Sequence, residues 1–216
     1  MTSPPETVRL RESDLPAAAE ALNRAFLEDP LQIFAVPDPA ERAARSPALF
    51  AAALRYGLLF GEVFTTAGTP AGAAIWLGPD AWEITDERAA AAGFDRLPEE
   101  FGAGATERFF TVIGAAESYH RRDVPPEHWH LMVLGVAPEA QGKGLARAFL
   151  QPMIDRADAA GLPCYLETAN GANIPFYERM GFHLVTDFVE PQSSLRLWTF
   201  RRFPPTAGPA GEATRR

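Results

Sequence analysis

Six consecutive residues, Gln141-Gly142-Lys143-Gly144-Leu145-Ala146, have the composition of an anion cradle. They stand between an apolar run, Leu131 to Val136, and a helical pattern that begins near Leu145. Glycines at such a junction let successive backbone N–H groups turn inward. A helix starting there adds its unpaired N-terminal N–H groups and the positive end of its dipole. The chemistry this suits is the grip of a phosphate, although an ordinary glycine-rich turn has the same composition. Two other phosphate-binding patterns are excluded. Lys143 is followed by Gly144 rather than by Ser or Thr, so this is no Walker loop. Arg147 stands where the dinucleotide fingerprint needs its third glycine. Lys143 and Arg147 suit a bound anion or open solvent equally.

A second group lies downstream, in Asn170 to Phe182. It reads as a polar loop, a short helix carrying Phe176 and Tyr177, and a stop at Gly181. The Tyr177 hydroxyl can donate a proton or a hydrogen bond. Asn173 precedes it by one helical turn and shares its face or starts the helix. Asn170 either bonds a ligand or caps that helix. His128 and His130 open the apolar strand and share a face if the strand is regular. A histidine titrates near neutrality, which suits proton removal, and an ordinary strand-end histidine is the alternative. Glu167 follows the next strand, where it either orients an amine and relays protons through water or only bonds its own loop. His120, His128, His130 and His183 show no ligand spacing with cysteine or carboxylate, so no metal site is expected. No G-x-S-x-G occurs, which excludes a hydrolase elbow.

These groups need elements to position them. Val8 to Leu10 begins a strand, and Ser13 or Asp14 caps a helix to about Leu27, with Leu15, Ala18, Leu22 and Phe26 on one face. Glu28-Asp29-Pro30 breaks it, and a proline-punctuated loop runs to Pro39. An alanine-rich helix follows to about Leu59. Glu62 to Thr66 and Ala71 to Leu77 form a hairpin around Gly68-Thr69-Pro70. Residues 80 to 123 hold two or three helices, and His128 to Val136 is the central strand. Leu145 to Ala160 is a helix bent at Pro152 and ended by Gly161. Pro163 to Thr168 is a short strand that holds Cys164 as a core residue. Phe182 to Val189 and Leu195 to Phe203 are the final strands.

The order strand, Q-G-x-G-x-A, helix, strand, N-x-x-F-Y-E-R-x-G-F resembles the GCN5-related N-acetyltransferases, the GNAT superfamily. Trp129 to Val136, Gln141 to Leu150, Leu166-Glu167-Thr168 and Asn173 to Phe182 are most similar to its puromycin N-acetyltransferase-like actinobacterial members. Thr7 to Arg11, Ala25-Phe26 to Asp29-Pro30 and Ala74-Ile75-Trp76 fit the same pattern. The resemblance implies an α/β (α+β) GNAT fold: a mixed central sheet of six to seven strands, helices on both faces, and splayed central strands. It implies a single acetyltransferase domain over residues 6–203. The activity implied is acetyl transfer from acetyl-CoA to a primary amine of a small molecule, by direct attack in a ternary complex. Gln141 to Ala146 would hold the pyrophosphate. Main-chain groups of Leu134 and Val136 would pair with the pantetheine arm as a strand does, with Gly135 allowing a bulge or close approach. The Val136 N–H would polarise the thioester oxygen. Tyr177 would serve as general acid at the sulfur, and Asn173 would bond the cofactor. Many relatives carry a base glutamate on the central strand, which this strand lacks, leaving His130, Glu167 or a water chain. The acceptor would meet Asp29, Phe34 and Trp76, with Phe26, Trp82, Phe109 and Tyr119 as further wall candidates.

Composition sets outer bounds. The chain has 216 residues, 47% apolar, enough for one sizeable core. A formal net charge of −8 disfavours nucleic acid and mildly favours cationic partners. One cysteine excludes an internal disulfide framework and fits a reducing compartment. No apolar stretch has the length of a membrane span and the N-terminus lacks a signal pattern, so a cytoplasmic monomer or homodimer is expected. Residues 1–5 read as a flexible start and 204–216 as a disordered tail. Two other functions stay open: an acetyl-CoA sensor without catalysis, and a protein or peptide acetyltransferase.

Overall fold

A computed structural model describes residues 6–205. The expectations for residues 1–5 and for the tail from 206 onward lie outside the described residues. Seven strands form one mixed sheet in the order β1-β2-β3-β4-β5-β7-β6. They are β1 (Thr7–Arg9), β2 (Gly61–Thr66), β3 (Gly72–Leu77), β4 (Trp129–Val136), β5 (Cys164–Thr168), β6 (His183–Val189) and β7 (Arg196–Arg202). The helices are α1 (Leu15–Phe26), α2 (Pro30–Ala35), α3 (Pro39–Phe60), α4 (Asp86–Ala92), α5 (Ala103–Asp123), α6 (Leu145–Ala160) and α7 (Ile174–Arg179). The sheet is antiparallel except where β4 meets β5. There the strands pair in parallel at only two positions, Trp129↔Cys164 and His130↔Tyr165, and then diverge. This is the expected splay.

Alternation along β3 and β4 divides the apolar side chains between the two faces. Ala74, Trp76, Leu131 and Leu166 pack with Phe149, Leu150, Met153 and Ile154 of α6 and with Tyr177 of α7. Ala73, Ile75 and Leu77 pack on the other face with Leu15, Ala18 and Leu22 of α1 and with Phe50 and Leu54 of α3. Leu197 of β7 takes Val112 and Ala116 of α5. Helices therefore cover both faces.

Two local findings differ from the sequence reading. The proline-punctuated segment after Asp29 is a helix, α2. Asp29 caps it by accepting from the Leu31 N–H at 2.9 Å, and Pro30 occupies the first turn, where its missing N–H costs nothing. The bulge in β4 falls at Met132, since Ile75 pairs with Val133 and Trp76 with Leu131. Gly135 instead permits close approach: an added Cβ would lie 2.6 Å from Phe26 Cε2 and 2.8 Å from Leu22 Cδ2. α1 is thus seated directly on the sheet beside the cleft.

Two side chains hold α1 and α2 against α3. Pro47 inside α3 deprives the Ala43 carbonyl of its helical partner, and Asn23 Nδ2 donates to that oxygen at 2.9 Å. The buried Arg42 guanidinium donates to the Leu27, Val36 and Pro37 carbonyls at 2.7, 2.8 and 3.1 Å. These bonds satisfy the end of α1 and both sides of the turn after α2, which fixes where Asp29 points.

Candidate active site

The splay opens a cavity of about 270 Å³. His130 and Leu134 of β4, Glu167 of β5, and Asn173 and Tyr177 beside or on α7 line one side. Phe26, Asp29, Phe109, Phe110, Ile113 and His120 line the other. Ile84, Phe110 and Ile113 at its rim are exposed large apolar side chains.

Gly142 and Gly144 adopt positive φ of 74° and 79°. A Cβ at either would meet nothing within 4 Å, so their conformation and not crowding calls for glycine. Gly144 is the N-cap of α6 with no side-chain cap. The first N–H groups of α6, from Leu145 and Ala146 onward, therefore have no partner within the helix and converge on an open surface. Gln141 Nε2 donates to the Val136 carbonyl at 3.0 Å and ties this loop to the end of β4. Lys143 Nζ donates to the Glu139 carbonyl at 3.0 Å, beside the cradle mouth.

Strand alternation orients the main chain of β4. The Ala137 N–H donates to Ala71 O at 2.9 Å, toward β3. The main-chain groups of Val136 and Leu134 accordingly face the opposite edge, where β5 has diverged. The Val136 carbonyl is taken up by Gln141 Nε2, so a chain-like ligand laid in the cleft would find the Val136 N–H and the Leu134 groups there.

Tyr177 is buried in α7 among Phe176, Phe182 and Phe200. Its hydroxyl makes no hydrogen bond among the described residues, and the side chain lines the cavity. Burial, with the Asp29 charge adding to it, pushes this hydroxyl above its ordinary range. It stays protonated and so remains a hydrogen-bond donor. Asn173 also lines the cavity, and its side chain caps no helix. Asn170 does cap: its Oδ1 accepts from the Ala172 N–H at 3.0 Å.

The titratable groups converge further than their spacing suggests. His130 Nε2 lies 2.9 Å from Glu167 Oε2, and His120 Nδ1 lies 3.2 Å from Glu167 Oε1. Burial alone would raise the Glu167 pKa, but the two imidazoles outweigh it and hold the carboxyl well below its ordinary value. Burial also lowers His120, and it takes His128 down to about 4. His128 is no half-exposed strand-end residue. It is fully buried, 2.7 Å from the Pro125 carbonyl oxygen through Nδ1 and 2.8 Å from His120 Nε2. The reading that the histidines form no cluster with a carboxylate is corrected: His120 and His130 meet at Glu167, with His128 behind His120, because α5 delivers His120 across the cleft. Its signal was the helical stripe Phe109, Ile113, Ala116, His120.

Among the acceptor candidates, Asp29, Phe26, Trp82 and Phe109 line the cavity. Burial raises the Asp29 carboxyl above its ordinary value. Phe34 and Trp76 do not line it. Phe34, on α2, packs instead with Val112 of α5 and Leu197 of β7. Trp76 is fully buried under α6, because its place in β3 turns it to that face. Tyr119 stacks on Phe188 at 3.9 Å between centroids. Cys164 is buried and its thiol is pushed up to about 12 by burial, so it is a core residue and no nucleophile.

Comparison with known proteins adds four relations. The family described as "Acetyltransferase (GNAT) family" matches residues 65–182. An uncharacterized N-acetyltransferase of Schizosaccharomyces pombe is 29% identical over 184 residues, 81% of this chain and 72% of that protein. N-alpha-acetyltransferase RimI of Mycobacterium tuberculosis is 28% identical over 116 residues, 52% of this chain and 68% of that protein. Among solved structures, one described as histone acetyltransferase HPA2 and related acetyltransferase, from Corynebacterium glutamicum, has a TM-score of 0.68 at 23% identity. It covers 97% of this chain and 100% of its own.

Proposed function

This chain belongs to the GNAT acetyltransferase family, and from that premise we propose that it moves an acetyl group from acetyl-CoA to the primary amine of a small molecule. The observation that carries the reading is the cleft at the β4–β5 divergence, with the glycine cradle at one end and Tyr177, His130 and Glu167 at the other. The residues fit the cofactor. Gly142 and Gly144 leave open space before the free N–H groups of α6, which suits a pyrophosphate. Leu134 offers its outward-facing strand groups and Val136 its N–H to a pantetheine arm, and Asn173 offers an uncommitted amide.

Acetyl-CoA supplies an acyl group activated as a thioester. The chain's residues then have three tasks. Asp29, beside the Tyr177 hydroxyl, attracts the acceptor ammonium by its charge. His130, paired with Glu167, takes up the proton so that the amine is neutral when it attacks, and the Glu167 carboxylate, held ionised by two imidazole contacts, orients the ring and balances the charge it gains. Tyr177 donates a hydrogen bond or a proton to the departing sulfur, and the Val136 N–H polarises the thioester oxygen. No covalent enzyme intermediate is needed if both substrates are bound together.

The cavity wall favours a small acceptor with an apolar body. Phe26, Phe109, Phe110 and Ile113 present rings and branched carbons, with Asp29 and Glu117 for a cationic end. Kinship with puromycin N-acetyltransferase-like members is part of this reading, but it does not fix the acceptor, because the wall is where such enzymes differ. Acetylation of a peptide amine is the second reading, drawn from the N-alpha-acetyltransferase and histone acetyltransferase names of two relatives. The single reduced cysteine supports a cytoplasmic location.

The test is calorimetric titration with acetyl-CoA of the wild type and of a Gly142→Glu/Gly144→Glu double variant, followed by acetylation of parallel panels of apolar amines and peptides. Binding by the wild type, loss in the variant and turnover on the amines are expected. No acetyl-CoA binding by the wild type overturns the proposal, and turnover on peptides alone transfers it to the second reading.

A further inference from the structure

Four segments bring four side chains to one point: His120 from α5, His128 before β4, His130 on β4 and Glu167 on β5. Their hydrogen positions can be counted. His128 Nδ1 is 2.7 Å from the Pro125 carbonyl oxygen, which can only accept, so the neutral His128 ring carries its proton on Nδ1 and accepts at Nε2. His120 Nε2 lies 2.8 Å from that acceptor and must donate. The neutral His120 ring then has a bare lone pair at Nδ1, turned toward Glu167 Oε1 at 3.2 Å. A lone pair and a carboxylate oxygen repel at that distance unless a proton or a metal cation lies between them. His130 presents Nε2 to the other carboxylate oxygen at 2.9 Å, and its Nδ1 is buried without a partner among the described residues. Nothing on the far side of that ring prevents Nε2 from serving as a lone pair too.

We infer that His120, His130 and Glu167 form a binding site for a divalent transition-metal ion of the zinc type. One ligand atom from each lies within 4.8 Å of the others. Side-chain rotation brings such a set to bonds of about 2.0–2.2 Å. Two imidazoles and one carboxylate suit zinc and leave a further coordination position open. That position faces the cavity, since all three residues line it. His128 acts as the outer partner, receiving the His120 Nε2–H and so fixing the tautomer that frees Nδ1. Tyr165 stacks on the His120 ring at 4.1 Å and Trp82 packs on it at 4.5 Å, so the ring has little room to turn away. The functional consequence rests on the acetyl-transfer reading. The ion and the amine's proton compete for the same atoms, so bound zinc inhibits acetyl transfer reversibly.

The experiment titrates the full chain, first dialysed against a chelator, with ZnCl2 by calorimetry and with CoCl2 by visible absorption. One ion per chain is expected, with the intense absorption bands of a four- or five-coordinate cobalt site. Glu167→Gln and His130→Gln should each weaken binding at least about tenfold, and His128→Gln about 10- to 100-fold. The exposed His183→Gln should leave it unchanged. Circular dichroism establishes that each variant is folded. No saturable uptake of either ion by the wild type overturns the site, as does uptake that Glu167→Gln and His130→Gln leave intact. Acetyl-CoA binding is titrated separately on the same sample. Cofactor binding without zinc binding refutes the metal site alone, and zinc binding without cofactor binding refutes the acetyl-transfer reading alone.

Discussion

Tyr177 combines three properties that a donor to a departing sulfur needs: a buried ring, a hydroxyl with no partner among the described residues, and a pKa raised by burial and by Asp29. Removing the hydroxyl while keeping the ring tests this role directly. Tyr177→Phe is expected to lower kcat by about 10²-fold or more. Acetyl-CoA affinity should be unchanged, because the ring still packs on Phe182 and Phe200. Steady-state kinetics beside calorimetry reads both, and an unchanged kcat removes Tyr177 from the chemistry. The residue types of the site were legible in the chain, since a tyrosine one turn after Asn173 carries its own geometry. His120 was not, because the helix that carries it is far along the chain from Glu167.

At the scale of elements, the site depends on α1 lying flat on β4. Gly135 is the position that allows it, and Gly135→Val places carbon where Phe26 and Leu22 already stand. The expected cost is about 1–3 kcal/mol from overpacking. For a chain of this size that lowers Tm by roughly 2–4 °C per kcal/mol, read by calorimetric or urea unfolding. An unchanged Tm would mean that α1 shifts freely and does not fix the cavity wall. The sequence reading found α1, α3, α6 and all seven strands, and it gave the stretch that holds α4 and α5 only as two or three helices without bounds. It missed α2, whose six residues are too few to show a period and whose start is signalled only by Asp29 and Pro30. Trp76 and Phe34 show the matching limit. Their aromatic character suited a pocket wall, but strand parity and helix docking turned both into packing.

Across the whole molecule, Cys164 reports on the integrity of the sheet. It sits in β5 between β4 and β7 with no exposure, and its thiol is pushed from an ordinary 9.0 up to about 12. The unfolded thiol ionises first as pH rises, so between about pH 9 and 12 the folded chain binds the extra proton. Stability from this group is full below pH 9 and falls as pH rises toward 12, by on the order of 4 kcal/mol. Alkylation at neutral pH should follow global unfolding, and Cys164→Ala should flatten the alkaline slope of a urea-denaturation series. Rapid labelling of the native protein would show that β5 opens locally. No helix among the described residues is long and apolar enough to cross a membrane.

Local physics was readable along the chain. The cradle needs two glycines at a strand-to-helix junction, and α7 needs its proline, its tyrosine and its glycine stop, all neighbours in sequence. The family and the order of elements followed from those same short-range patterns. The cavity is different in kind. The meeting of His120, His128, His130 and Glu167 depends on how far β4 and β5 stay paired and on where α5 lands. Both are set by packing between segments tens of residues apart, and so is the choice of which aromatic rings face the acceptor. Spacing along the chain carries no record of those distances, so that meeting came into view only with the fold.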